Sequence, residues 1–181
     1  LDTIEGDCLL IGHSYGGVVI TQAGVRPNVK GLLYIAAFAP DKGETMNDLL
    51  RKNPPTAAAP FFEIKDGYVW LRHEGFRTAF AQDLPIEQAD VLHAVQKVPN
   101  AAIFETPAEE VAWKDKKSWF IISKADRTID PHLQHFEAQR MHATINEVAA
   151  SHLSMISQPA AVVRFIEAAA QELLEHRFAH V

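Results

Sequence analysis

A chain of 181 residues, 48% of them hydrophobic, is one domain's worth of sequence and can bury a real core. Its formal charge of -6 and pI near 5.8, with no run of basic residues, exclude a nucleic-acid surface. No apolar stretch is long enough to span a bilayer, and a single cysteine, Cys8, can form no internal disulfide, so membrane and disulfide-framework classes fall away too.

The first element is the most informative. Cys8-Leu9-Leu10-Ile11 is an apolar run ending on Gly12, Ser14 follows two residues later, and Gly16-Gly17 opens a segment with helical prospects. Gly-x-Ser-x-Gly between a strand and a helix predicts a sharp, strained turn that lifts the serine hydroxyl clear of the sheet edge. Gly12 and Gly16 are expected where strand and helix crowd together. The helix should run from 17 to 25, stopped by Arg26-Pro27-Asn28, and Lys30 to Phe38 reads as a strand buried on both faces. Strand, helix, strand makes a parallel crossover.

From residue 41 to 112 prolines punctuate short segments and strong sheet-forming runs are missing. A short helix is expected over 45–52, and a hairpin turning at Asp66-Gly67 between Phe61–Ile64 and Tyr68–Leu71. A helix over 84–97 should carry Leu84, Val91, Leu92 and Val95 on one face. An insertion of this size between two buried strands predicts a mainly helical cap over 41–112, on a core formed by 1–40 and 113–181. Ser118 to Ser123 resumes the sheet, and Asp130-Pro131 caps and starts a helix. Thr144 to Val148 is a strand, and a last helix runs from about Pro159 to Glu175 with Val162, Ile166, Ala169 and Leu173 on one face. The tail 176–181 carries no signal. The fold class is therefore α/β, with about four parallel strands and an inserted cap.

A serine hydroxyl attacks only when a base takes its proton, and a carboxylate usually fixes that base's tautomer. Loops at the same ends of the strands should supply both. For the acid, Asp126, Asp41 and Asp130 all follow strands; Asp130 is occupied as a helix cap, Asp126 is the first candidate, and Asp41 stays open if the acid sits one strand earlier. For the base, His152 is the histidine in a short loop after a buried strand. His132 and His135 have the spacing of metal ligands but no third ligand nearby, so no metal and no cofactor are expected. Tyr15 offers its N–H as an oxyanion donor at a helix start. His13, Phe61 and Trp70 are the candidates for substrate contact.

Gly12-His13-Ser14-Tyr15-Gly16-Gly17, the loop Lys124 to Pro131 and Ser151-His152-Leu153-Ser154-Met155 resemble the α/β-hydrolase superfamily, closest to small bacterial esterase-like members related to plant methylesterases and hydroxynitrile lyases. The resemblance covers residues 6 to 170. It implies Ser14 as nucleophile, His152 as base, Asp126 as orienting acid, Tyr15 as one oxyanion donor, and a small carboxylic ester as the partner. In that family further strands and a second oxyanion donor precede the serine, so this sequence is expected to be the C-terminal part of a longer protein. Losing one such donor costs about 3 kcal/mol of transition-state stabilisation. The lyase alternative is weakened because the segment after His152 has no lysine; a non-catalytic binding protein is the other alternative. Neither a nucleic acid nor a membrane is expected as partner, a homodimer is left open, and a cytoplasmic location is the default.

Overall fold

Side-chain alternation decides which strands lie in the middle. The computed structural model describes residues 1 and 3–178, the last three of these by backbone only. In chain order its strands are β1 (Cys8–His13), β2 (Val29–Ile35), β3 (Phe62–Lys65), β4 (Tyr68–Leu71), β5 (Lys117–Ser123) and β6 (Thr144–Val148). Its α-helices are α1 (Gly16–Ala23), α2 (Met46–Leu50), α3 (His73–Gly75), α4 (Ile86–Ala94), α5 (Pro131–Arg140), α6 (Ser154–Ser157) and α7 (Pro159–Phe178). A parallel sheet in the order β1-β2-β5-β6 forms the core, and β3 and β4 make a separate antiparallel ribbon.

β2 and β5 are apolar along nearly their whole length because both their faces are covered. Leu32, Tyr34, Phe120 and Ile122 point to the face packed with Ile20 of α1 and Ala138 of α5. Their neighbours Leu33, Ile35, Trp119 and Ile121 point to the other face, where Val162 and Ala169 of α7 close the layer. β1 and β6 are the edges of this sheet among the described residues, and Ile11 on β1 stays 42% exposed.

Two expectations need correction here. β2 stops at Ile35 instead of reaching Phe38, because Ala36 turns to φ +41° and Phe38 then gives its N–H to the Ser14 carbonyl at 3.2 Å. α4 does not bury Val91 and Val95, which are 63% and 66% exposed. The helix starts at Ile86, so Leu84 lies outside it and sets no helical phase; the inner face is Ala89, with Leu92 one turn on.

β2 and β5 are adjacent in space, yet residues 36–116 separate them in sequence. This insertion holds α2, the β3–β4 ribbon, α3 and α4. The ribbon turns where expected, with Asp66 and Gly67 both at positive φ, as a tight two-residue hairpin loop requires. After α3 the chain winds into one wider turn, Phe76–Phe80, closed by Ala81 N–H on the Phe76 carbonyl at 2.8 Å.

Candidate active site

Ser14 sits between β1 and α1 at φ +54°, a left-handed backbone that a serine keeps only when its surroundings impose it. They do so through three bonds: Ser14 N–H donates to Ile35 O at 3.2 Å, and Ser14 O accepts from Gly17 N at 3.0 Å and from Phe38 N at 3.2 Å. A Cβ on Gly12 would stand 2.4 Å from Gly16 O, and one on Gly17 would stand 2.1 Å from Phe38 O. Gly16 itself has open space around its Cβ position, so the crowded pair is Gly12 and Gly17 rather than Gly12 and Gly16. Among the described residues no carbonyl takes the Tyr15 N–H, which stands at the start of α1.

Asp126 and His152 are brought into direct contact. Asp126 lies after β5 and His152 after β6, and His152 Nδ1–H donates to Asp126 Oδ2 at 2.8 Å with both side chains fully buried. The carboxylate takes three further donors: Thr128 N at 2.7 Å and Ile129 N at 3.1 Å on Oδ1, and Gln134 Nε2 at 2.9 Å on Oδ2. Four donors on one buried group lock its orientation. With the proton held on Nδ1, Nε2 of a neutral imidazole is left as an acceptor. It is buried and has no hydrogen-bond partner, Ser14 included.

The His152 ring lies between His13, with centroids 4.6 Å apart, and Phe80, at 4.7 Å. His13 Nε2 donates to the His152 carbonyl at 2.9 Å, so its tautomer is set too. Burial first, and the neighbouring charge of His152 second, push the His13 imidazole down to about 3, against the pull of that hydrogen bond. His13 is thus a neutral group and no rival base at ordinary pH. The insertion also grips this floor: Asp83 accepts from Ser151 N at 2.8 Å, Gln82 Nε2 donates to Ala125 O at 2.6 Å, and Thr128 Oγ1 donates to Ala79 O at 3.0 Å.

The other candidates fall elsewhere. Asp41 pairs with Lys114 and does not meet His152. Asp130 caps α5, accepting from His132 N at 2.8 Å, and His135 turns to Glu147 at 3.2 Å.

A cavity of about 900 Å³ lies over Ser14, with His13, Tyr15 and Phe38 from the sheet side and Phe62, Ile64, Val69, Leu71 and Phe80 from the insertion. Phe61 and Trp70 are not in its wall, which corrects the expectation for both. Phe61 lies in a tight turn just before β3 and packs with Leu71 and Phe76 and against Gly75, where a Cβ would come within 2.2 Å of it. Trp70 projects from the opposite face of the ribbon and is 42% exposed. Gln134 and Asp83 were not anticipated. Gln134 did carry a signal: it shares the buried face of α5 with Leu133 and Ala138, where a polar side chain must have a partner.

Serine after one strand, aspartate after a later one and histidine after the next is the chain order of α/β hydrolases. The model of the Alpha/beta hydrolase family matches residues 1–165, and the chain belongs to that family. It is 45% identical over 107 residues to a carbendazim hydrolyzing esterase from Nocardioides, a match covering 56% of this chain and 44% of that one. It is 26% identical over 181 residues to an α/β hydrolase of Aspergillus novofumigatus, covering 93% of this chain and 72% of that one. A pyrethroid hydrolase from Sphingobium faniae superposes with a TM-score of 0.79 at 24% identity, over 96% of this chain and 73% of that one. The chain therefore spans less than half the length of the first of these relatives.

Proposed function

We propose that this chain carries the nucleophile, base and acid of a serine esterase acting on a bulky apolar carboxylic ester through an acyl-enzyme. Ser14 Oγ attacks the ester carbonyl while its proton passes to His152 Nε2; the C–O bond to the alcohol breaks, and the same proton leaves with the alcohol. Water, deprotonated by His152, then hydrolyses the acyl group from Ser14. Asp126 holds Nδ1–H throughout and stabilises the imidazolium, and the Tyr15 N–H faces the developing oxyanion. Every group in this cycle is a side chain or a backbone N–H, so the chemistry calls for no cofactor. In this reading residues 41–112 act as a cap whose apolar wall selects the substrate, a small molecule.

The observation that carries the reading is the unpartnered, buried Nε2 of an imidazole whose other nitrogen is fixed on a carboxylate. A buried acceptor without a protein partner calls for a group that bonds there, and the strained serine is the group the site offers. Similarity to an esterase supports the substrate class. A fluorophosphonate probe should label the protein at Ser14, and Ser14→Ala should abolish labelling together with hydrolysis of p-nitrophenyl esters, by on the order of 10⁴-fold or more. Undiminished labelling of the variant would reject Ser14 as nucleophile. That Ser14 and His152 share no hydrogen bond favours one second reading, a small-molecule binding protein; tight binding of an ester without turnover or labelling would select it.

A further inference from the structure

Gln134 lies four residues into α5, fully buried, and touches Asp126 on the same oxygen that takes the His152 proton. Its amide can face only one way. Ser123 N–H is a donor and meets Oε1 at 3.0 Å, while the Ile129 carbonyl is an acceptor and meets Nε2 at 2.8 Å. One Nε2 hydrogen serves Ile129, and the other goes to Asp126 Oδ2 at 2.9 Å. Gln134 thus ties the end of β5, the acid loop and α5 together at the point where the carboxylate meets the histidine.

We propose that Gln134 is a positioning residue that acts through Asp126: it holds the carboxylate in register with His152 and, by sharing Oδ2, limits how tightly that oxygen retains the imidazole proton. The proposal rests on the serine-esterase reading for its kinetic consequences, though its structural claim stands apart from it. Without the amide, the carboxylate keeps only the Thr128 and Ile129 N–H groups on Oδ1 and His152 on Oδ2, and its orientation is less firmly fixed. The charge that Oδ2 shares with Gln134 then falls entirely on His152, and the protonated imidazole gains. The other titratable side chains near this pair, His13 against the ring and Asp83 on Ser151 N–H, are untouched by a change at 134.

The test uses Gln134→Leu and Gln134→Glu, compared with the unmodified protein by NMR titration of the His152 ring and by the pH profile of ester hydrolysis. In folded Gln134→Leu the ring should bind its proton roughly tenfold more tightly, the acid limb of kcat/KM should move to higher pH with it, and kcat should fall about tenfold with KM within twofold. A role confined to packing would lower the unfolding temperature and leave both the ring titration and the acid limb where they were, which overturns the proposal. Should the leucine variant not fold, Gln134→Glu decides. Its neutral carboxyl can still accept from Ser123 N–H and donate to Asp126, whereas its ionised form sets two carboxylates against each other. As pH rises and the glutamate ionises, activity should fall below that of the unmodified protein and the ring should hold its proton more tightly, whereas behaviour matching the unmodified protein at every pH overturns the proposal. If the unmodified protein is not labelled by fluorophosphonate, the esterase reading fails while the ring titrations still judge Gln134.

Discussion

Both carboxylate oxygens of Asp126 are tied into hydrogen bonds, whereas the cavity above Ser14 is walled mostly by carbon. On the floor, Asp126 collects four hydrogen bonds, and its bonds to Gln134 and His152 run between fully buried side chains. On the other side Phe62, Ile64, Val69 and Leu71 present apolar surface from a ribbon that belongs to the insertion. Directional bonds in a dry interior fix one geometry, so the floor suits chemistry that tolerates little displacement. Apolar contact is non-directional and tolerates changes of shape, so the wall suits selection among substrates. Substitutions in the floor should therefore act on kcat and those in the wall on KM.

The sharpest way to break this contrast is Asp126→Asn. All four partners of the carboxylate are donors, while an asparagine amide brings one acceptor oxygen and one donor nitrogen. Whichever way it turns, donors face donors, and even where His152 switches tautomer to accept from the amide, Gln134 Nε2 is left facing a donor. That switch places the proton on Nε2 and removes the base. Ester hydrolysis should fall on the order of 10⁴-fold in kcat with little change in KM. A loss seen mainly in KM would show that the floor is not the rigid half.

A second buried carboxyl behaves differently because it lacks such donors. Glu137 of α5 is fully buried; its Oε1 accepts from Ala39 N at 2.7 Å and its Oε2 has no partner. Burial raises its pKa from 4.5 to about 8, only partly offset by the Ala39 N–H and by Arg140. The folded state thus holds this proton more tightly than the unfolded chain does. Its stabilising contribution is complete below about 4.5 and is lost as pH rises through about 8. Urea unfolding should show stability declining by a few kcal/mol across that window, and Glu137→Gln should flatten the decline. A slope unchanged by the substitution would show that Glu137 is not its source.

The same division explains what the sequence disclosed. A buried strand writes itself as a continuous apolar run, so β5 is legible to within a residue; β6 is an edge strand with only Val148 buried, and the loops after the two bring Asp126 and His152 together. The Gly-x-Ser-x-Gly run likewise located the strained Ser14, although only the packing distinguishes Gly17, which is crowded, from Gly16, which is not. In the insertion, apolar residues are plentiful on both sides of short elements, and alternation alone does not tell which side is inward. Phe61 and Phe62 differ by one residue, yet only Phe62 lines the cavity. Val91 and Val95 were misassigned because the phase was counted from Leu84, outside the helix. Gln134 and Glu137 are polar residues on the buried face of α5, and that pattern pointed to partners without naming them.

The wall offers the smallest and most selective test, because the two faces of one ribbon can be compared directly. Phe62 pairs across the strands with Leu71 and Ile64 with Val69, and all four meet the cavity. Trp70, paired with Glu63, faces away. Ile64 is 72% exposed, so Ile64→Ala should cost little stability, yet it removes apolar contact with a bulky substrate. Losing about 1 kcal/mol of such contact corresponds to a roughly fivefold rise in KM for a bulky ester, with kcat and small esters little affected. Trp70→Ala removes a larger side chain from the same ribbon and should leave both constants within about twofold. If truncating the tryptophan raises KM as much as truncating the isoleucine does, the ribbon presents its other face to the substrate, and the division between a polar floor and an apolar wall must be drawn elsewhere.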